Sequence, residues 1–517
     1  MHKLSKVLKE NILFLMIFLF FAGYYVYRIF AITPWYDELY TYIYFIDKGI
    51  SYSATHWPTP NNHIFFSITS SLLRIFGIYI GLRGVSWLAA VGTLLLLYSV
   101  LKRLFSKGFA TFGIMVYGMF FETNAYAVQG RGYSLATFCL MLALYCGLEI
   151  SYGKAHKRFY IFYALALYMG LYTLMSSLYW VLSVCLCFGI LLLLLKKGRE
   201  LLWLVISSGV AAVFTVCSYS ILWFHMGAQQ IQAEFGLPGS ELSLILEYPR
   251  TCLLRGLEIM RSNPNLQSID RSAFIHDFKY YFRGILSDFI GYQHIAMLPV
   301  FSILVMTVLI IGILRIVWCK KKGKNLDSWK ELFSYILSSV GFLAIYIILL
   351  VQSVYPFARV FSFLGVYLVV LNSLLLDVFI KPVRILFQRN VNMIKYLILV
   401  NIPIFIWCIY SMTGVAHNQE YSGRDYYAFD AVKYVDWTEI KTYAVSDVYV
   451  RQQVVYHIQI GNGLAITADL ETPDIIILYK TDNVVGWPFI ISDEDIRHFA
   501  LENRVLEYEN ELYCVYK

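Results

Sequence analysis

Ile12-Leu13-Phe14-Leu15-Met16-Ile17-Phe18-Leu19-Phe20-Phe21-Ala22-Gly23 contains no charge and no polar side chain. A helix that is apolar on every face has no side to turn to water, so it belongs in lipid or among other helices. Comparable runs fill 86–101, 181–195 and 341–351. Across the 517 residues, 59% are apolar and 15% charged, and the mean hydropathy of +0.61 lies outside the range of soluble domains. Many of the 42 tyrosines and other aromatics stand where apolar runs meet polar loops, as at Tyr24, Tyr25, Tyr27, Trp35 and Tyr36. Amphipathic rings favour that border.

The net charge of +8 does not imply a nucleic-acid partner, because the lysines and arginines gather in short loops between apolar runs. That pattern marks the cytoplasmic side of a membrane protein. Lys3, Lys6 and Lys9 precede the first run as in a signal peptide. The length of that run and the lack of a small-x-small cleavage site favour a retained span at 11–33. With the N-terminus inside, an outer segment extends over 34–84. The clusters at Lys102/Arg103/Lys107, Lys154/Lys157/Arg158, Lys196/Lys197/Arg199, Lys320–Lys324 and Lys381/Arg384/Arg389/Lys395 all fall inside if 159–195 is a two-span hairpin. This threading gives about eleven spans, with the C-terminus outside. Residues 62–80 are expected as an amphipathic helix on the outer surface, and a second outer segment, 224–293, as short interfacial helices.

From residue 415 the composition reverses, with 17 Asp plus Glu against 8 Lys plus Arg in 415–517. This part reads as an extracytoplasmic α/β domain following a transmembrane domain over 1–414. Its expected elements are a helix near 427–436, β-rich runs at 442–458 and 474–480, a helix near 493–503 and a final strand at 511–516. Most of the nine cysteines lie in apolar runs without metal-type spacing. Cys252 and Cys514, outside them, are the one pair open to a disulfide.

Polar residues that can carry chemistry gather in the outer segments. Thr33-Pro34-Trp35-Tyr36-Asp37-Glu38 places two carboxylates just beyond the first span. There they can take a proton from a hydroxyl or bind a cation, or Asp37 can simply cap the next helix. Pro58-Thr59-Pro60-Asn61-Asn62-His63 enters an apolar helix, with His63 a donor to a phosphate or hydroxyl and Asn61 or Asn62 alternatively an N-cap. Glu122 and Gln129-Gly130-Arg131-Gly132-Tyr133 form a short outer turn. Arg131 stands there against the positive-inside bias, which calls for an anionic partner, for snorkelling to headgroups or for a pair with Glu122. Arg359, in Tyr355-Pro356-Phe357-Ala358-Arg359, repeats the question.

In this order the segments resemble the GT-C-fold glycosyltransferases that use polyprenyl-phosphate sugars, the superfamily of protein O-mannosyltransferases and lipid A aminoarabinose transferases. Trp35-Tyr36-Asp37-Glu38 resembles the family's Asp-Glu after the first span. Asn62-His63 is similar to its Asn-His-Pro-Pro-Leu-Tyr segment, Leu82-Arg83 to its Leu-Arg-Leu element, Gln129-Gly130-Arg131-Gly132-Tyr133 to its Glu-x-Arg-x-Tyr turn, and Arg359 with Phe361 to a late Arg-Tyr. The match covers 10–150 well and 350–375 loosely. Ile64 and Phe65 replace the two prolines, and Gln129 the acidic residue.

The resemblance implies a multi-pass protein of the cell membrane that moves a sugar from a polyprenyl-phosphate donor, with inversion, to an acceptor hydroxyl on a glycan, lipid or protein. Asp37 is implied as general base and Glu38 as its orienting partner. His63, Arg131 and Arg359 would hold the donor phosphate, with Asn62, Gln129 and Tyr133 near the substrates. No nucleotide is needed. A divalent cation would draw on Asp37, Glu38 and Glu122, and the change to Gln129 argues against one. The rival readings are a lipid-linked-sugar flippase, which expects ionisable residues near the bilayer midplane, and a non-catalytic scaffold.

Overall fold

The computed structural model describes residues 2–57, 62–153, 156–236, 239–263, 267–290, 297–325, 330–387, 406, 409, 423–469, 472–480 and 504–517. Among them seven helices are long and apolar enough to cross a membrane: Asn11–Ala31, Ile78–Leu104, Tyr133–Tyr152, Met175–Leu194, Gly198–Phe235, Leu298–Lys321 and Leu332–Gln352. The expectation was about eleven. Two helices at expected crossings, Lys107–Met119 and Lys157–Thr173, have 13 and 17 residues and fall short of a full crossing by length alone.

The expected hairpin at 159–195 is present as Lys157–Thr173 and Leu178–Leu194, joined through a tight turn at Met175–Ser177. Residues 62–80 form the short helix Ile64–Leu73 and a 3-10 turn rather than one long segment. Helix Gly198–Phe235 overruns the expected start of the second outer segment at 224 and stops only at Gly236, whose φ of 59° supplies a left-handed cap. The overrun is held by helix Pro249–Arg261, because two glycines let the backbones touch. A Cβ on Gly227 would lie 1.8 Å from the Cys252 carbonyl oxygen, and one on Gly256 2.0 Å from that of Trp223. The second segment is completed by helices Glu241–Glu247 and Arg271–Ile290.

The C-terminal unit is built on a five-stranded sheet of β1 (Thr442–Val445), β2 (Thr467–Ala468), β3 (Ile475–Tyr479), β4 (Leu506–Glu509) and β5 (Tyr513–Tyr516), in the order β2-β1-β3-β5-β4. β1 runs parallel to β2 and β3, whereas β5 is antiparallel to β3 and β4. The four buried residues Ile475–Leu478 are covered on both faces, which is why this strand reads as an unbroken apolar run. The strand expected over 442–458 ends at Val445. Asp447 accepts the Val450 N–H at 2.9 Å and starts helix Val448–Gln453, continued by a π turn to Gly461. An N-cap there outweighs the β-branched composition. The expected helix near 427–436 is Arg424–Tyr434. The helix near 493–503, the boundary at 414/415 and Pro58–Asn61 lie outside the described residues. Cys252 is a free thiol, so the one disulfide open in the sequence does not form.

This unit sits on the segment that follows the first span. Gln453 donates to the Pro34 carbonyl at 3.1 Å, and Tyr456, fully buried, meets Tyr42 edge-on at 5.0 Å.

Candidate functional site

Glu38 and Arg83 form a buried bidentate pair, each 1% exposed, with Nε–Oε1 and Nη2–Oε2 both 2.9 Å. The remaining Arg83 protons go to the carbonyls of Ile29 (2.8 Å), Ile32 (2.7 Å) and Thr33 (3.3 Å), so all five donors of the guanidinium are used. Glu38 also accepts the N–H of Trp35 at 2.9 Å and of Gly130 at 2.5 Å. The pair therefore joins the end of the first span, helix Ile78–Leu104 and the turn at 129–133. Trp35, not Asp37, is the N-cap of helix Tyr36–Thr41, so the capping alternative for Asp37 is not what is found. The Asp37 carboxylate pairs instead with Arg359.

The turn is fixed through its backbone. Ser86 donates to the carbonyls of Gln129 (2.6 Å) and Arg131 (3.2 Å). Gly130 presses on Leu82 and Gly132 on Thr173 and His63, where a Cβ would come within 2.6 and 2.5 Å of its nearest neighbours. The buried Arg131 donates to the Asp37 carbonyl (3.2 Å) and the Thr41 hydroxyl (3.1 Å). Gln129 is buried, and its Oε1 has no hydrogen-bond partner among the described residues. Asn62 ties the neighbouring helices together. It donates to the Ser53 and His56 carbonyls and accepts from Ser67 at 2.8 Å, while His63 occupies the N-cap position.

His63 is 3% exposed and accepts the Gly132 N–H at Nδ1 over 2.7 Å. Burial, with the Arg131 and Arg359 charges, holds it well below the usual imidazole range, so it is neutral. With Nδ1 accepting, the proton is on Nε2, which lies 3.2 Å from Arg131 Nη2. Two N–H groups side by side call for one shared acceptor, a place suited to an anionic oxygen.

These groups open into a cavity of about 420 Å³ lined by Asn62, His63, Arg131, Tyr133 and Arg359 on its polar side. Leu174, Met175, Leu178, Ile348, Val354 and Phe357 give it apolar walls. Tyr133 packs edge-on against His63 at 5.1 Å. Arg359 closes the set through Asp37, with Nη1–Oδ2 at 2.8 Å. Six residues from four separate segments of the chain thus meet at one end of the bundle.

No protein family and no curated protein matches the chain by sequence. Among solved structures, ArnT from Cupriavidus metallidurans bound to undecaprenyl phosphate aligns over 98% of this chain and 98% of its own, with a TM-score of 0.52 and 11% identity. The chain has the GT-C fold. The oligosaccharyltransferase of Archaeoglobus fulgidus, solved with a tethered acceptor peptide, aligns over 89% of this chain at 12% identity with a TM-score of 0.47, and this chain spans 64% of its length.

Within this fold the three carboxylates considered for a cation do not converge. Glu38 is saturated by Arg83 and two backbone N–H groups, Asp37 pairs with Arg359, and Glu122 is hydrogen-bonded with Tyr126. Among the described residues no three His, Cys, Asp or Glu side chains gather into a metal-ligand set.

The sequence matched Arg83 to the family's Leu-Arg-Leu element without a role and gave no sign of Thr41 or Asp425. Arg83 carried a signal, an arginine at the mouth of an apolar helix. Asp425 carried none, because only the docking of the C-terminal unit brings it here. Its carboxylate receives the Tyr36 N–H, and burial pushes it up to about 8, the Glu38, Asp37 and Asp447 charges adding to the shift. A carboxyl raised above its ordinary 3.8 stabilises the folded state at low pH, and that contribution is lost as pH rises through about 8. Asp425→Asn cannot ionise, so it is expected to flatten the decline in stability of wild type between these limits. Thermal unfolding across the range checks this; an identical decline in the variant would show that Asp425 does not titrate there.

Proposed function

We propose that the protein transfers a sugar from a polyprenyl-phosphate donor to an acceptor hydroxyl, inverting the anomeric carbon. The reading is supported chiefly by one observation: His63, Arg131 and Arg359 meet on the polar side of an apolar-walled cavity, next to Asp37. A lipid chain suits such walls, and its phosphate suits the unmatched Nε2–H and the two guanidinium groups. The basic loops favour placing this end of the bundle on the extracytoplasmic side, the N-terminus inside, in the cell membrane.

In the proposed step the Asp37 carboxylate takes the proton of the acceptor hydroxyl as its oxygen bonds to the anomeric carbon. The bond from that carbon to the phosphate oxygen breaks with its electron pair, leaving polyprenyl phosphate with an added negative charge. Arg131, Arg359 and His63 Nε2–H stabilise that charge where it develops. Donor phosphate competes with Asp37 for Arg359, so donor binding releases the base for the acceptor. Glu38 serves as a positioning residue, setting the Arg131 turn through Gly130. A nucleotide has no part in this step.

Purified protein incubated with a panel of polyprenyl-phosphate sugars and candidate acceptors is expected to release polyprenyl phosphate from one donor only when an acceptor is present. Failure with every donor would overturn the reading. Arg131→Ala and Arg359→Ala should each raise the donor KM about 10–100-fold, the worth of a hydrogen bond to a charged group. Unchanged donor dependence in both variants would count against phosphate binding.

A further inference from the structure

Tyr36, Tyr40 and Tyr44 recur at every fourth residue along one continuous helical stretch and so share a face. Their rings follow one another at 6.3 and 4.4 Å, and Tyr449 of the C-terminal unit extends the row at 4.9 Å from Tyr36. The row is not core. Tyr42, pointing elsewhere, is fully buried, whereas Tyr44 is 40% exposed and Tyr36, Tyr40 and Tyr449 are half-buried. None of the four lines the cavity at His63 and Arg131. The row starts one residue from Asp37, whose charge is felt by both Tyr36 and Tyr449. Asp37 thus stands between two surfaces, paired with the cavity through Arg359 and adjoining the tyrosines.

We propose that Tyr36, Tyr40, Tyr44 and Tyr449 form a stacking platform for a neutral saccharide acceptor, whose reactive hydroxyl is delivered to Asp37. A pyranose ring offers a face of C–H groups to an aromatic ring and a rim of hydroxyls to phenolic oxygens. Spaced, half-exposed tyrosines supply both kinds of contact, at little conformational cost. Burial pushes the Tyr36 hydroxyl up to about 12, so it keeps its proton and can donate. The Asp37 carboxylate beside the row and the acidic excess of the C-terminal unit repel a polyanionic polymer and suit an uncharged glycan. The C-terminal unit then shares in acceptor binding through Tyr449.

The proposal rests on the sugar-transfer reading for its purpose, but its test needs no transfer. The full-length protein, with no donor present, is titrated with cellohexaose, chitohexaose and maltohexaose and followed by saturation-transfer NMR and calorimetry. Wild type is expected to bind at least one of them. Tyr40→Ala and Tyr44→Ala should each weaken that binding about tenfold, while Tyr44→Phe, which keeps the ring, stays within about threefold of wild type. Absence of binding to all three, or binding indifferent to both alanine substitutions, overturns the platform. The latter result would instead mark the tyrosines as an aromatic belt at the membrane border. Ring-dependent binding together with no transfer from any donor would uphold the platform and sink the transfer reading. Donor-dependent transfer with ring-independent binding would do the reverse.

Discussion

Asp37→Asn is expected to lower the rate of sugar transfer by about 10²–10⁴-fold, the range over which a positioned general base acts. The substitution is isosteric, and its amide oxygen can still accept from Arg359 Nη1, which lies 2.8 Å from Oδ2 in the native pair. The fold should therefore be indifferent to it, because the Glu38–Arg83 clamp carries the local structure. What is lost is the negative charge that takes the acceptor proton. Donor binding should be unchanged or tighter, since a neutral amide competes less well with phosphate for Arg359. The expected signature is a collapse of kcat with KM for the donor level or falling, in a protein whose unfolding temperature matches wild type. Transfer retained near the wild-type rate would sink the assignment of Asp37 as base. Arg359→Ala makes the opposite split, raising KM first, and the two variants together separate base from phosphate ligand.

The membrane class was legible from residues such as Ile12–Gly23, because a helix apolar all round has few physical options. The hairpin at 159–195 was legible for the same reason. The strand expected over 442–458 was not, because the decision rests on one side chain: Asp447 captures the Val450 N–H and turns a β-branched stretch into a helix. At the site, Asp37, His63, Arg131 and Arg359 could be picked out as charges and polar groups at helix mouths, and they meet within hydrogen-bonding distance. The division of labour between adjacent carboxylates was hidden. Nothing in Asp37-Glu38 tells which pairs with the cavity residue Arg359 and which is saturated, and that follows from Arg83, 45 residues further along. Asp425 was invisible because its environment is made by docking, from side chains nearly 400 residues distant in sequence.

Arg83→Ala is expected to destabilise the protein by about 3–5 kcal/mol, the cost of leaving a buried charge without its partner. Removing the guanidinium strands Glu38 and frees three carbonyls, those of Ile29, Ile32 and Thr33, in a place where water does not replace the lost donors. Glu38→Gln should cost less, since its amide oxygen can still accept from Arg83 and the Trp35 or Gly130 N–H. Replacing both residues, as Glu38→Leu with Arg83→Met, should recover part of the loss, because two uncharged chains leave no unpaired ion. A double-mutant cycle on thermal unfolding in detergent micelles measures the coupling. Additive effects of the two substitutions would mean that the pair contributes no more than two separate packing sites. Transfer activity gives an independent readout. The double variant no longer fixes the Gly130 N–H, so the Arg131 turn loses one of its restraints. Its kcat should stay below wild type at temperatures where it is fully folded, which a purely structural pair at a distance from the site would not produce.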